Sequence, residues 1–159
     1  ARELTKNIPQ NVKRIAVLVN AKDEFIEQIK DYFDCFQLHG HEDVKRIKEL
    51  KQKFNKGIIK AIRVTDEASA RTFSQFEDEV DMLIFDSPAM EKTAKFDWQI
   101  LSKLKITKPY LIAGSININN VDEILKYNPT GVDVSAGVES SVGLKTNEKI
   151  IEFLDKVKS

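Results

Sequence analysis

Six short apolar runs, each followed by a segment with apolar residues at helical spacing, constrain how this 159-residue chain can fold. The runs are rich in Val, Ile and Leu, as strands buried on both faces of a parallel sheet are. The predicted strands span residues 14–20, 33–38, 57–64, 80–85, 109–113 and 132–134. The predicted helices that follow them span residues 23–32, 43–54, 66–77, 97–103, 119–126 and 146–157. This strict alternation predicts an α/β protein with a parallel sheet covered by helices.

The amino-acid composition limits the classes of function that this chain can have. The chain has 25 basic and 25 acidic residues and a formal net charge of zero, which argues against a nucleic-acid partner because such a partner favours a basic excess. The apolar runs are too short to cross a bilayer, so we expect no membrane partner. The single cysteine, Cys35, excludes an internal disulfide and is compatible with a reducing cytoplasm. We therefore expect one cytoplasmic globular domain over residues 1–159.

The number of strands leaves two parallel architectures open. Six strand–helix units match the size of a doubly wound open sheet, whereas a complete eightfold barrel usually needs about 200–250 residues. Polar and small residues at the strand ends favour the barrel, because the carboxyl ends of its strands meet at one rim. In an open sheet the residues at the strand ends would instead be spread along one edge of the sheet. These candidate site residues are Gln37, His39, Lys60, Asp86, Gly114, Ser115, Asp133, Ser135 and Gly137.

The stretch at 131–139, which reads GVDVSAGVE, points to phosphate binding. A strand that ends in small residues and leads through a turn into a helix can approach a phosphate closely and present backbone N–H groups to it. Gly114 and Ser115 form a second turn of small residues after the preceding strand. Together the two turns predict a phosphate site at the carboxyl end of the last two strands.

Each polar candidate also has a purely structural interpretation. Asp86 can be a turn or helix-cap residue, and His39 can simply end a strand before Gly40. Cys35 is more typical of a packed core than of a reactive thiol. Lys60 lies in a predicted buried strand, where an unpaired ammonium is costly. It therefore needs an anionic partner, either a carboxylate or a ligand.

Several segments taken together resemble the phosphoribosylanthranilate isomerase family, whose members are (β/α)8 barrels, also called TIM barrels. The most specific are QLHG at 37–40, FDW at 96–98 and GVDVSAGVE at 131–139. Further matches lie at 14–20, 59–62, 83–87, 111–114 and 120–121. The resemblance covers the whole chain, in the family's order and spacing, and runs from the family's third strand to its carboxyl terminus.

The resemblance implies an Amadori rearrangement in tryptophan biosynthesis, with no metal or organic cofactor. The substrate is N-(5-phosphoribosyl)anthranilate and the product is 1-(2-carboxyphenylamino)-1-deoxyribulose 5-phosphate. A general acid, which maps onto Asp86, protonates the ribose ring oxygen and opens the ring to an imine. A general base then removes the C2 proton, and the resulting enolamine becomes the ketone. Contacts to the substrate are assigned to Gln37, His39 and Lys60, and contacts to its phosphate to Gly114, Ser115, Asp133, Ser135, Ala136 and Gly137.

Departures from the family pattern bear on catalysis. The family's base is a cysteine in a Cys-Gly motif at the end of its first strand, and this strand, the first helix, the second strand and a substrate-binding arginine have no match here. Cys35 cannot replace the base, because it lies in a different strand and below the rim. The loop at 87–95 lacks the family's Gly-Gly-x-Gly run, and Ser115 replaces a glycine. We therefore expect an N-terminally incomplete barrel of about six βα units, inactive by itself.

Six units cannot close a barrel whose strand number is eight. The first strand, Ile15 to Val19, and the last, Val132 to Val134, are therefore expected to be bare apolar edges, which recruit other strands. A second hypothesis is a non-catalytic module that binds a phosphorylated ligand, as a barrel fragment or a degenerate paralogue. The missing base and the altered loop favour it, whereas Asp86, His39 and the FDW segment favour the enzyme. Under both hypotheses we expect a small phosphorylated ligand and a monomer or homodimer.

Overall fold

The structure, a computed structural model, describes residues 2–87 and 98–158. A short helix, α1 (Arg2–Thr5), precedes the first strand. The strands are β1 (Ile15–Leu18), β2 (Cys35–Leu38), β3 (Gly57–Arg63), β4 (Met82–Asp86), β5 (Tyr110–Ala113) and β6 (Gly131–Asp133). The helices that follow them are α2 (Asp23–Ile29), α3 (Val44–Phe54), α4 (Glu67–Arg71), α5 (Gln99–Ser102), α6 (Val121–Leu125) and α7 (Asn147–Lys158). The predicted alternation of strand and helix is confirmed.

The six strands belong to one sheet in the order β1-β2-β3-β4-β5-β6. The pairs β1–β2, β2–β3 and β5–β6 are parallel. A doubly wound sheet reverses its strand order at a switch point, and the six strands in the described residues show no such reversal. The strand order therefore favours the barrel over the open sheet.

The chain divides into two compact units. The first unit comprises Ala1–Ala61 and Phe73–Leu83, and the second comprises Ile62–Thr72 and Ile84–Ser159. Fully buried side chains in the first unit are Ile26, Phe36, Leu38, Ile47, Leu50, Ile58 and Leu83. Those in the second unit are Val64, Ile84, Phe85, Ile112 and Ile124. Each unit therefore has apolar strand residues at its centre, and the expectation of a single domain stays a prediction.

The helix predicted at 66–77 is divided in the structure. Asp66 begins α4 with a capping box, in which its carboxylate accepts the Ser69 N–H and the Ser69 hydroxyl accepts the Asp66 N–H. A 3-10 helix, Thr72–Gln75, follows α4. Phe73 and Phe76 are both buried, and their spacing of three residues places them on one face of a helix with three residues per turn. Burial of these two rings accounts for the tighter helix.

The segment between β6 and α7 contains more structure than the sequence predicts. A 3-10 helix, Ala136–Val138, follows β6. An antiparallel hairpin of β7 (Glu139–Ser141) and β8 (Leu144–Lys145) comes next. Strands of two or three residues are too short to show the alternation that identifies a strand, so the sequence alone gives no sign of the hairpin.

In the part of the chain that the structure describes, β1 and β6 are the two edge strands of the sheet. Val17 and Val19 are 60% and 65% exposed, as expected for a bare apolar edge. Across residues 2–87 and 98–158, no helix is both long and apolar enough to cross a membrane.

Candidate active site

Asp86, the predicted acid, is the last residue of β4, after the buried residues Leu83, Ile84 and Phe85. Its carbonyl oxygen accepts the N–H of Val64 at 2.8 Å, and the N–H of Ser87 donates to the carbonyl of Ala113 at 3.2 Å. The backbone on both sides of Asp86 is therefore fixed. Its half-buried side chain lies at the carboxyl end of the strand, where parallel α/β enzymes place reacting groups.

The turn after β5, formed by Gly114 and Ser115 and called here the β5 turn, packs against the residue that follows the acid. Gly114 has a φ of +100°, and a Cβ at this position would lie 2.3 Å from the carbonyl oxygen of Ser87. No side chain fits at that distance, so glycine is required for both conformation and space. The β5 turn and the chain beside Asp86 are therefore held in direct backbone contact.

Two asparagines, which the sequence interpretation did not single out, hold the β5 turn. The carbonyl of Ser115 accepts the side-chain amides of Asn117 at 3.2 Å and Asn120 at 3.0 Å. The Asn120 side chain also accepts the N–H of Asn117 at 2.8 Å. These bonds fix the orientation of the peptide after Ser115, a residue with a φ of +51°. Asparagine side chains bond readily to nearby backbone groups in turns, which is the signal that the sequence offers here.

The turn after β6, formed by Ser135, Ala136 and Gly137 and called here the β6 turn, touches the chain that follows the β5 turn. A Cβ at Gly137 would lie 2.0 Å from the carbonyl oxygen of Ile116, so only glycine allows this approach. Asp133 ends β6 and is the register partner of Ala113. The second unit therefore brings together Asp86 and all the predicted phosphate residues at the carboxyl ends of β4, β5 and β6.

Gln37 and His39 lie at the carboxyl end of β2, in the first unit. Gln37 is 7% exposed, whereas His39 is exposed. The side-chain nitrogen of Gln37 lies 3.4 Å from Nδ1 of His39, a long hydrogen bond. The contact places the amide of Gln37 beside the imidazole of His39 at the end of the strand.

Lys60 does not share a face with Gln37, and the expected contact of Lys60 with the substrate stays a prediction. Lys60 is the register partner of Leu38, and Gln37 is the partner of Ile59. Successive side chains in a strand point to opposite faces. Phe36, on the face of Leu38 and Lys60, packs edge-on against the ring of Phe54 in α3, so Lys60 points toward the helix layer.

The ammonium of Lys60 is buried and has protein partners. Its side chain is 4% exposed, and Nζ lies 3.1 Å from a carboxylate oxygen of Glu42, whose side chain is 3% exposed. Nζ also donates to the carbonyls of Gly40 at 2.7 Å and Leu38 at 3.3 Å. The three ammonium protons thus have three acceptors. Of the two anionic partners that the sequence left open, the structure supplies the carboxylate.

Glu42, which the sequence interpretation missed, joins the ends of β1 and β2 to Lys60. Its carboxylate accepts the N–H of Asn20 at 2.7 Å and the N–H of Gly40 at 3.0 Å. The side-chain oxygen of Asn20 accepts the N–H of His41 at 2.8 Å. Burial raises the pKa of Glu42, but the N–H donors and Lys60 outweigh it, so its pKa lies below the usual glutamate value. Glu42 is therefore ionised at neutral pH.

Removing either member of the Lys60–Glu42 pair should destabilise the protein strongly. Lys60→Met leaves a buried carboxylate without its cation, and Glu42→Gln leaves a buried ammonium without its anion. Each loss costs about 3–5 kcal/mol. Because the pKa of Glu42 is lowered in the folded protein, its contribution is complete at neutral pH and is lost as the pH falls below about 4. Urea unfolding at neutral and acidic pH measures the free energy of unfolding.

Lys51→Met is the matched control for this prediction. Lys51 pairs with Asp81 in the same unit, with side chains 35% and 55% exposed, so its loss should cost at most about 1 kcal/mol. Equal free-energy changes for Lys60→Met and Lys51→Met would contradict the role given to the buried pair.

Cys35 is the first residue of β2, at the end of the strand opposite to His39. Burial raises the pKa of its thiol, which disfavours the thiolate that a base would need. The geometry agrees with the expectation that Cys35 is not the base. Of the FDW segment, Trp98 is buried, whereas Phe96, Asp97 and residues 88–95 of the preceding loop lie outside the described residues.

Comparison with known proteins confirms the resemblance. The family model for N-(5′-phosphoribosyl)anthranilate (PRA) isomerase matches residues 1–156. The enzyme of that name from Petrotoga mobilis is 37% identical over 99% of this chain and 77% of its own length. The one from Bradyrhizobium diazoefficiens is 34% identical over 96% of this chain and 73% of its own length.

A solved structure shows the same fold. It is a phosphoribosyl anthranilate isomerase in complex with reduced 1-(o-carboxyphenylamino)-1-deoxyribulose 5-phosphate, 27% identical to this chain, with a TM-score of 0.85 over 99% of this chain and 77% of that one. The family match spans almost every residue, and the relatives exceed 30% identity. This chain belongs to the N-(5′-phosphoribosyl)anthranilate isomerase family.

Proposed function

We propose that this chain carries the general acid and the phosphate-binding turns of an isomerase that acts on N-(5-phosphoribosyl)anthranilate. The product is 1-(2-carboxyphenylamino)-1-deoxyribulose 5-phosphate, formed by an Amadori rearrangement in tryptophan biosynthesis. The observation that carries the proposal is the backbone contact of the β5 turn with the residue after Asp86. It keeps an acid and a phosphate site at a fixed separation, as a ribose phosphate substrate requires.

In the proposed reaction, Asp86 donates a proton to the ribose ring oxygen. The bond from this oxygen to C1 breaks, and the nitrogen lone pair forms the imine. A base then takes the proton from C2, and the electron pair forms the C1=C2 double bond of the enolamine. Protonation at C1, with loss of the proton of the C2 hydroxyl, gives the ketone. An acid and a base placed in this way each contribute about 10²–10⁴ in rate.

The phosphate would bind the backbone N–H groups of the β5 and β6 turns. Support comes from their geometry: Gly114 and Gly137 each allow a backbone approach that any Cβ would block. Such turns leave N–H groups available to an anion. A carboxylate repels phosphate, so Asp133 would not bind the phosphate through its side chain. It would instead end β6 and direct the chain into the β6 turn.

His39 and Gln37, whose side-chain nitrogens lie 3.4 Å apart at the end of β2, would contact the substrate. Lys60 would act as a positioning residue rather than a contact residue. Through Glu42 it fixes Gly40, the residue after His39.

The six strands of this chain would correspond to the third to eighth strands of the family barrel. Support comes from their order in the sheet and from coverage of about three quarters of each relative. The exposed apolar residues of β1 also suit a further strand. The base would then not be among residues 1–159. The expected cytoplasmic location and monomeric or homodimeric state stay predictions.

Binding of a phosphorylated analogue tests the proposal. The purified chain should bind reduced 1-(o-carboxyphenylamino)-1-deoxyribulose 5-phosphate, and removal of the phosphate from the ligand should weaken binding by at least about tenfold. Gly137→Ala should prevent binding, because its Cβ would meet the carbonyl of Ile116. Isothermal titration calorimetry gives the dissociation constants.

Gly143→Ala is the matched control. Gly143 lies in the hairpin with a φ of +80°, and a Cβ there meets nothing within 4 Å. Alanine at this φ costs about 1–2 kcal/mol of stability. The hairpin and its N–H bond to Glu139 remain in the folded variant, so the affinity should be kept. Equal affinity for the phosphorylated and dephosphorylated ligands would contradict the proposed phosphate site.

A further inference from the structure

The hairpin of β7 and β8 returns the chain to the β6 turn. Its register places Lys145 directly opposite Glu139, and the N–H of Thr146 donates to the carbonyl of Val138 at 3.3 Å. A tight turn at Gly143, with positive φ, allows the reversal. The hairpin therefore brings a lysine from ten residues further along the chain back to Ser135.

The ammonium of Lys145 bridges the hairpin and the β6 turn. Nζ lies 3.0 Å from a carboxylate oxygen of Glu139 and 3.3 Å from the hydroxyl oxygen of Ser135. The other carboxylate oxygen of Glu139 accepts the N–H of Gly143 at 2.9 Å. Two fixed acceptors thus hold the charge of Lys145 beside the first residue of the β6 turn.

The local charge favours an anion. Lys149 donates to the carbonyl of Glu139 at 2.5 Å, so two ammonium groups and one carboxylate lie at this end of the hairpin. The N–H of Gly143 and the ammonium of Lys145 donate to the two carboxylate oxygens of Glu139. The ammonium of Lys145 also contacts the β6 turn. A phosphate bound at Ser135 would lie within reach of its ammonium.

We propose that Lys145 is a phosphate-binding side chain, delivered to the β6 turn by the hairpin, and that it favours dianionic sugar phosphates. This inference rests on the proposed function, because it assigns a charged contact to the same phosphate site. Backbone N–H groups offer only partial positive charges, whereas the ammonium of a lysine carries a full charge, so its attraction increases more steeply with the charge of the ligand. Lys145 would therefore contribute most when the phosphate is doubly ionised.

A purely structural role for Lys145 predicts a different behaviour. If Lys145 only joined the hairpin to Ser135, its replacement would lower stability and leave phosphate affinity unchanged in the folded protein. A charged contact instead predicts a change in affinity that depends on salt. The two roles are separated by measuring binding rather than stability.

The test is titration of the ¹⁵N-labelled chain with ribose 5-phosphate, followed by the amide shifts of Ser135 and Gly137. Lys145→Met should weaken binding about fivefold at low salt, the size of one exposed ion pair. The difference should vanish at about 1 M salt, where the Debye length is about 3 Å. Lys145→Arg should restore most of the affinity, because it keeps the charge.

Lys149→Met is the matched control, since Lys149 contacts Glu139 but not Ser135. It should change the affinity less than twofold by the same estimate of surface pairs. Dispersed amide spectra verify that each variant is folded. If Lys145→Met does not fold, Lys145→Gln replaces it. If the wild-type chain and Lys145→Met bind ribose 5-phosphate with equal affinity, the role of Lys145 is overturned and the proposed phosphate site stands. Equal losses of affinity in Lys145→Met and Lys149→Met would have the same consequence. If ribose 5-phosphate does not shift the amide signals of Ser135 and Gly137 in the wild-type chain, both the proposed phosphate site and the role of Lys145 are overturned.

Discussion

Replacing Asp86 by asparagine should lower the turnover number about a thousandfold while leaving affinity for the product analogue nearly unchanged. Asparagine keeps the shape of the side chain but cannot donate a proton to the ring oxygen, and loss of a general acid costs about 10²–10⁴ in rate. The phosphate turns, held by Gly114 and Gly137, do not depend on the carboxyl group. The substitution therefore separates chemistry from binding.

The proposed function places the base outside residues 1–159, so turnover is measured with a chimera. We define the chimera as this chain preceded by the segment of the Petrotoga mobilis relative that carries the family's first two strands. Turnover is followed as the loss of substrate fluorescence, and affinity as the dissociation constant of the reduced product analogue. A kcat/KM loss of a thousandfold corresponds to about 4 kcal/mol of transition-state stabilisation.

Asp81→Asn provides the control for Asp86→Asn. Asp81 lies just before β4, at the opposite end of the strand from Asp86, and its carboxylate accepts the N–H of Ile58 at 2.7 Å. Asparagine retains an acceptor for that bond, so turnover should stay within about threefold while stability falls by about 1 kcal/mol. Full turnover in Asp86→Asn would assign the proton donor to another residue.

The strands could be predicted from the sequence because burial on both faces leaves a simple pattern. The run from Leu83 to Phe85 is wholly apolar and wholly buried, and the predicted end of this strand lies within one residue of the observed end. The hairpin and the division of the helix at 66–77 depend on tertiary contacts. Phe73 and Phe76 set the 3-10 geometry by burial, which no local propensity encodes.

The parts of the candidate site that could be predicted are those at strand ends and those where the backbone requires glycine. Gly114 and Gly137 could be selected because close backbone approach demands glycine, and the structure shows both approaches. The orientation of Lys60 toward the helix layer was not predictable, since the alternation within a strand predicts two sets of residues but not which set faces the helices.

Glu42 could not be found in the same way. It follows His39, Gly40 and His41, and an acidic residue in such a polar stretch is usually exposed. The available signal was indirect: a buried Lys60 requires an anion. Choosing Glu42 among the nearby carboxylates required the register of β2 against β3 and the path of the loop after β2.

The most direct test of the proposed function is the isomerase activity of the 159-residue chain compared with that of the chimera. The chain should show no loss of substrate fluorescence above the uncatalysed rate, since Cys35 lies at the wrong end of β2 and no other base is assigned. The chimera should turn over the substrate at about 1–10³ per second, as enzymes typically do. Turnover by the chain itself would contradict the proposal that the base lies outside residues 1–159. A chimera that binds the product analogue but shows no turnover would contradict the catalytic role of Asp86 and favour the binding module.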